Sequence, residues 1–84
     1  MTDRYLILGK DGCSYCTKAK HLLDICDATY EYMDFPSMSS DRVARLEAIA
    51  GGEFRTMPQI FRYTEGDNTL KHIGGYRELS KEVI

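Results

Sequence analysis

The sequence predicts a small α/β domain with the element order β-α-β-α-β-β-α, and three observations carry that expectation. A short apolar run, "YLIL", stops at Gly9 and is followed by apolar residues at helical spacing. An alternating stretch, "TYEYMD", is followed by a second helical pattern. Finally, "PQIFRY" and "TLKHIG" flank "TEGDN", whose Gly, Asp and Asn suit a hairpin turn. A strand, a helix and a strand in succession imply a right-handed crossover and a parallel pair, whereas the hairpin strands must be antiparallel.

Each element has its own reason. Arg4 to Leu8 are short, apolar and rich in aromatic and branched residues, as in a buried strand. The first helix starts around Cys13 to Tyr15, and Ala19, Leu22, Leu23 and Cys26 fall at i, i+3, i+4 and i+7, a single core-facing stripe. This places Cys26 on the packing face, as a buried thiol. Thr29 to Asp34 form the second strand, which "FPSMSSD" interrupts with serines able to cap a helix. A helix over Ser40 to Ala50 follows, with Val43, Leu46, Ile49 and Ala50 inward and Gly51 and Gly52 ending it. The hairpin comes next, with His72 as a surface or edge-strand residue. "GGYRELSKEVI" closes the chain as a helix that puts Tyr76, Leu79 and Val83 on one face.

The whole chain, residues 1–84, reads as one domain without repeats or linkers. With 43 % hydrophobic and 29 % charged residues it has the composition of a soluble globular protein. A net charge of -2 and the absence of a Lys/Arg run argue against nucleic-acid binding. The opening "MTDRYLILGKDG" holds only a brief apolar stretch, so neither a signal peptide nor a membrane span is expected, and a cytoplasmic location follows as the default.

Three cysteines cannot all pair within one chain, and in a reducing compartment a C-x-x-C pair is kept for reactivity or metal more often than for stapling. Zinc needs four ligands, and the candidates beyond Cys13 and Cys16 are Cys26, His21 and His72. At a rise of 1.5 Å per residue, Cys26 lies about 15 Å beyond Cys16 along a helix, and His21 about 7.5 Å beyond it on another face. Neither closes the tetrahedron, so no metal site is expected. Redox chemistry fits better. Cys13 falls at the helix N-terminus, where free N–H groups and the helix dipole stabilise a thiolate. Lys10, Lys18 and Lys20 add positive potential and Asp11 opposes it. Cys13 is therefore expected to attack, and Cys16, one turn further in, to resolve.

In "RTMPQIF", Pro58 opens the third strand, where a missing N–H is tolerated. If that strand runs antiparallel to the first, Pro58 lies beside Cys13. A cis Met57–Pro58 bond would turn the Met57 backbone toward the thiol, ready to pair with an extended peptide, but the residues alone leave cis and trans open.

Taken together, "GCSYC" after the first strand, "TMPQIF" at the third and "HIGGY" before the last helix resemble the glutaredoxin family over nearly the whole chain. The resemblance implies a thioredoxin-like fold, a mixed four-stranded sheet in the order 2-1-3-4 with helices on both faces, a cis Met57–Pro58 peptide, and glutathione as reductant. It matches Cys13 to the nucleophile and Cys16 to the resolving cysteine. By the same likeness Tyr15 flanks the glutathione sulfur, while Lys10 and Arg55 meet its glycine carboxylate. Met57, between Thr56 and Pro58, pairs through its backbone with the cysteinyl unit. Gly75, Tyr76, Arg77 and Glu78 hold the γ-glutamyl end, partly through N–H groups at a helix N-terminus.

There are two departures. Ser14 replaces the usual proline, a feature of family members that hold a 2Fe-2S cluster between two chains with glutathione. Arg77 and Glu78 replace the usual Ser/Thr-Asp.

The expected activity is glutathione-dependent reduction of protein disulfides and glutathione mixed disulfides. The partners are glutathione and disulfide-bearing or glutathionylated proteins, with no nucleic acid and no membrane, and the protein is expected to be a monomer. The alternatives are a cluster carrier using Cys13 and a redoxin reduced by thioredoxin reductase.

Overall fold

The computed structural model describes residues 3–83. Its elements follow the expected order: β1 (Asp3–Gly9), α1 (Ser14–Ile25), β2 (Thr29–Asp34), a 3-10 turn (Phe35–Ser37), α2 (Ser40–Ala50), β3 (Gln59–Thr64), β4 (Thr69–Gly74) and α3 (Tyr76–Val83). Ile84, which the sequence reading included in the last helix, lies outside the described residues. The four strands form one sheet in the order β2-β1-β3-β4. β1 is parallel to β2 and antiparallel to β3, which is antiparallel to β4.

The unbroken apolar run in β1 follows from its place in the sheet. Successive side chains of a strand point to opposite faces, and a strand covered on both faces needs apolar residues at every position. Ile7 goes to one side, where it packs with Ile60, Ala19 and Leu23 of α1, and Leu79 of α3. Leu8 goes to the other, where it meets Phe61 and Leu46 of α2. α1 and α3 thus share one face and α2 covers the other. Phe61, fully buried, also meets Phe54 edge-on at 6.1 Å and the His72 ring at 5.0 Å. Among the described residues no helix is long and apolar enough to cross a membrane.

Two inward placements do not hold. Ile49 is 45 % exposed. At 3.6 residues per turn it stands roughly 90° round from the centre of the stripe formed by Val43, Leu46 and Ala50. Cys26 is also exposed. α1 ends at Ile25, so the helical period no longer directs Cys26, which is the C-cap. The chain then turns through Asp27 in the left-handed region, with φ of 56°, and Ala28 packs on the core.

Phe61→Ala should therefore lower unfolding stability by about 3 to 5 kcal/mol, whereas Ile49→Ala should change it by less than about 0.5 kcal/mol. Urea unfolding followed by circular dichroism checks both, and equal losses would contradict the described core.

Candidate active site

β1 delivers the chain to Gly9, and a turn through Gly12, at φ of 74°, sets Cys13 at the N-cap of α1. Here the sulfur does what a serine or aspartate oxygen does at other helix starts: Cys13 Sγ accepts a hydrogen bond from the Cys16 N–H at 3.2 Å. No acidic side chain stands in the first turn of α1 to oppose negative charge on that sulfur. Cys13 and Cys16 form a disulfide with Cα atoms 5.3 Å apart. The two sulfurs are not equivalent, since Cys16 is only 1 % exposed and Cys13 is half-buried. His21 and Cys26 are both exposed and away from the pair, and among the described residues no cluster of three or more His, Cys, Asp or Glu side chains is gathered for a metal.

The segment facing the thiol is set by strand register. Leu8 stands opposite Gln59, so the residues just before β3 lie beside the residues just after β1. Pro58 is the last residue before the strand, and the Met57–Pro58 peptide is cis. The Met57 carbonyl oxygen lies 3.6 Å from Cys13 Sγ. Behind this segment a short polar chain holds it in place. The Gln59 side-chain amide donates to the Thr56 carbonyl at 2.9 Å, and the Gln59 carbonyl oxygen lies 2.8 Å from Nε2 of His72. With Gln59 so oriented, Nε2 of a neutral His72 carries the proton and donates. The ring is stacked on Phe54 at 6.4 Å, and burial holds its pKa below the ordinary 6.5, against a weaker upward pull from Glu78.

A third piece comes from the start of α3. A register shift at Ile60/Phe61 leaves Gly74 opposite Ile60, which brings the head of α3 next to Pro58. Gly74 has φ of 127°, and a Cβ there would stand 2.8 Å from Glu78 Cγ. Glu78 Oε1 accepts from the Gly75 N–H at 2.8 Å, the reach-back half of a capping box. That hydrogen bond, helped by Lys81 and Arg77, holds the Glu78 carboxyl below its usual range although burial works against it.

Between these pieces runs an open groove of about 630 Å³. Of the residues expected from sequence, Tyr15, Thr56, Met57 and Pro58 line one part of it, and Gly75, Tyr76, Arg77 and Glu78 line the rest. Tyr15 and Tyr76 meet across it with ring centroids 5.8 Å apart. Two expected residues are elsewhere. Lys10 lines a separate recess together with Cys13 itself, Thr17, Lys20 and Tyr32, and Arg55 is exposed and lines neither. The groove instead includes Lys18 and Ser80, which were not expected there. The available signal was helical spacing: Lys18 lies three residues after Tyr15, and Ser80 four after Tyr76.

A cysteine pair at the head of a helix, one sulfur accessible and one buried, is built for thiol–disulfide exchange, and the sheet that carries it is thioredoxin-like. This defines a thiol–disulfide oxidoreductase. The glutaredoxin family model matches residues 6–65, and the chain belongs to that family. Glutaredoxin 1 of Escherichia coli K12 is 32 % identical over 83 residues, covering 93 % of this chain and 89 % of that protein. Glutaredoxin 1 of Salmonella typhimurium is 36 % identical over 75 residues, covering 83 % and 78 %. The solution structure of reduced Escherichia coli glutaredoxin superposes with a TM-score of 0.68 at 32 % identity, over 95 % of this chain and 92 % of that one. A buckwheat glutaredoxin–glutathione complex superposes with a TM-score of 0.66 at 27 % identity, over 95 % and 67 %.

Gly74→Ala should destabilise the fold by more than about 1 kcal/mol, because the φ and the Glu78 contact both exclude a Cβ. Thermal unfolding measures this, and a neutral effect would contradict the described turn. His72 sets a pH dependence. Between its lowered folded pKa and the unfolded value of about 6.5, the unfolded chain binds more protons, so stability rises with pH in that window and is lost on acidification through it. Urea midpoints measured from pH 7.5 to pH 5 should fall, and His72→Asn should flatten the slope.

Proposed function

We propose that the protein reduces glutathione mixed disulfides and protein disulfides with glutathione as electron donor. The observation that carries this reading is the placement of Cys13 Sγ, the less buried of the two sulfurs, 3.6 Å from the carbonyl of Met57, a residue that lines a groove running to the first turn of α3. An extended tripeptide with a carboxylate at each end suits that groove. Its cysteinyl unit pairs with Met57 in the manner of an added strand, and its γ-glutamyl carboxylate meets the free N–H groups at the head of α3. The buckwheat relative, described as a complex with glutathione, supports the same ligand.

In this cycle the Cys13 thiolate attacks the glutathione sulfur of a mixed disulfide. The Cys13–glutathione S–S bond forms as the substrate S–S bond breaks, and the substrate leaves as a thiolate that takes a proton from water. A second glutathione thiolate then attacks the bound glutathione sulfur, which releases oxidised glutathione and restores the Cys13 thiolate. With a protein disulfide, Cys13 first bonds to one substrate sulfur as the substrate S–S bond breaks, and the other substrate sulfur leaves as a thiolate. Cys16 then attacks Cys13 Sγ and frees the dithiol substrate, leaving the Cys13–Cys16 disulfide for two glutathiones to reopen. The Cys16 N–H and the helix dipole stabilise the Cys13 thiolate in both routes. The cycle needs one chain only, and we take the monomer as the working form. None of the relatives named above is described as carrying a cluster, and the alternative raised by Ser14 gains no support from them.

Cys13→Ser should lose all turnover of a glutathionylated peptide, whereas Cys16→Ser should keep it and lose protein-disulfide reduction. A coupled assay with glutathione and glutathione reductase measures both. Full activity in Cys13→Ser, or reduction of the wild type by thioredoxin reductase and NADPH but not by glutathione, would refute the reading.

A further inference from the structure

Resting on glutathione as the ligand of the groove, we propose that Lys18 of α1 is the cation that recognises the γ-glutamyl carboxylate, facing the head of α3 from the opposite wall. Lys18 lies one turn after Tyr15, with Nζ 4.9 Å from the Tyr15 ring centroid, and Tyr15 in turn meets Tyr76, the first residue of α3. This puts the ammonium on the flank of α1 that faces α3, in the same groove as Tyr76 and Arg77. The glycine end of an extended tripeptide laid along Met57 points the other way, so the carboxylate within reach of Lys18 is the γ-glutamyl one.

The charges are complementary. The charged side chains lining the groove are Lys18 and Arg77 against Glu78, one positive charge in excess, while glutathione with its thiol protonated carries one net negative charge. Glu78 is committed to the Gly75 N–H, and its carboxylate repels a ligand carboxylate at the head of α3. The helix N–H groups alone must overcome that repulsion, and a cation on the facing wall offsets it. Among the described residues neither Lys18 nor Arg77 makes an ion pair within the protein, so the charge of Lys18 is not already neutralised. Lys10 does not line the groove and belongs instead to the separate recess that includes Cys13.

The test is the KM for a glutathionylated peptide, whose glutathione unit is the one that occupies the groove, measured with that unit intact and with its glycine carboxylate as an ethyl ester, the reducing glutathione held saturating. Lys18→Gln should raise KM about three- to fivefold, as suits one solvent-facing ion pair, with kcat unchanged. The factor should be the same with the ester, shrink in 0.5 M salt and return to the wild-type value in Lys18→Arg. An unchanged KM would overturn the assignment, as would an increase that vanishes with the ester, which would place Lys18 at the glycine end. Wild-type protein that glutathione does not reduce would instead remove the glutathione reading itself. Lys18 is exposed, so these variants should fold.

Discussion

The antiparallel pairing of β1 with β3, from Asp3 opposite Thr64 to Leu8 opposite Gln59, is the constraint on which the rest of the structure depends. It assigns Ile7 and Ile60 to the face under α1 and α3, and Leu8 and Phe61 to the face under α2. A slip of one residue in β3 would exchange Ile60 and Phe61 between faces and empty one core while crowding the other. The same slip would carry Pro58 about 3.3 Å along the strand, away from Cys13. The packing that makes the domain stable therefore also places the Met57 carbonyl beside the sulfur.

Glu78 links a second pair of roles. Its carboxylate satisfies the Gly75 N–H and so helps start α3, and the same side chain lies over Gly74, where only glycine leaves room. The residue that shapes the far end of the groove is thus held by the backbone it shapes. A family pattern with a shorter acidic residue here has less reach. In this chain the extra methylene of Glu78 lets the carboxylate fold back on its own helix.

Much of this was legible in the order of residues. The strands and helices follow from apolar runs, alternation and 3.6-residue spacing, and Cys13, Met57, Pro58 and Gly75 follow from short motifs tied to strand ends. The failures have a common cause. Periodicity places a residue on a helix face but does not say where the helix stops or where the centre of its buried stripe lies, which misplaced Cys26 and Ile49. Lys10 and Lys18 are both near Cys13 in the chain, and only the three-dimensional course of the groove along the α3 side of α1 separates them. The contact from His72 through Gln59 to Thr56 depends on a strand register containing an irregularity, which no local pattern announces.

The N-cap of α1 is a sulfur, and this joins folding to electron transfer. A thiolate accepts the Cys16 N–H more strongly than a disulfide sulfur does, so reduction strengthens the first turn of the helix while oxidation weakens it. The disulfide closes so short a loop that it restrains the unfolded chain far less than a long-range bridge would. Bond formation thus relaxes the native helix end without a large compensating effect on the unfolded chain. By thermodynamic linkage, whatever tightens the start of α1 draws electrons toward the cysteine pair, and whatever loosens it releases them.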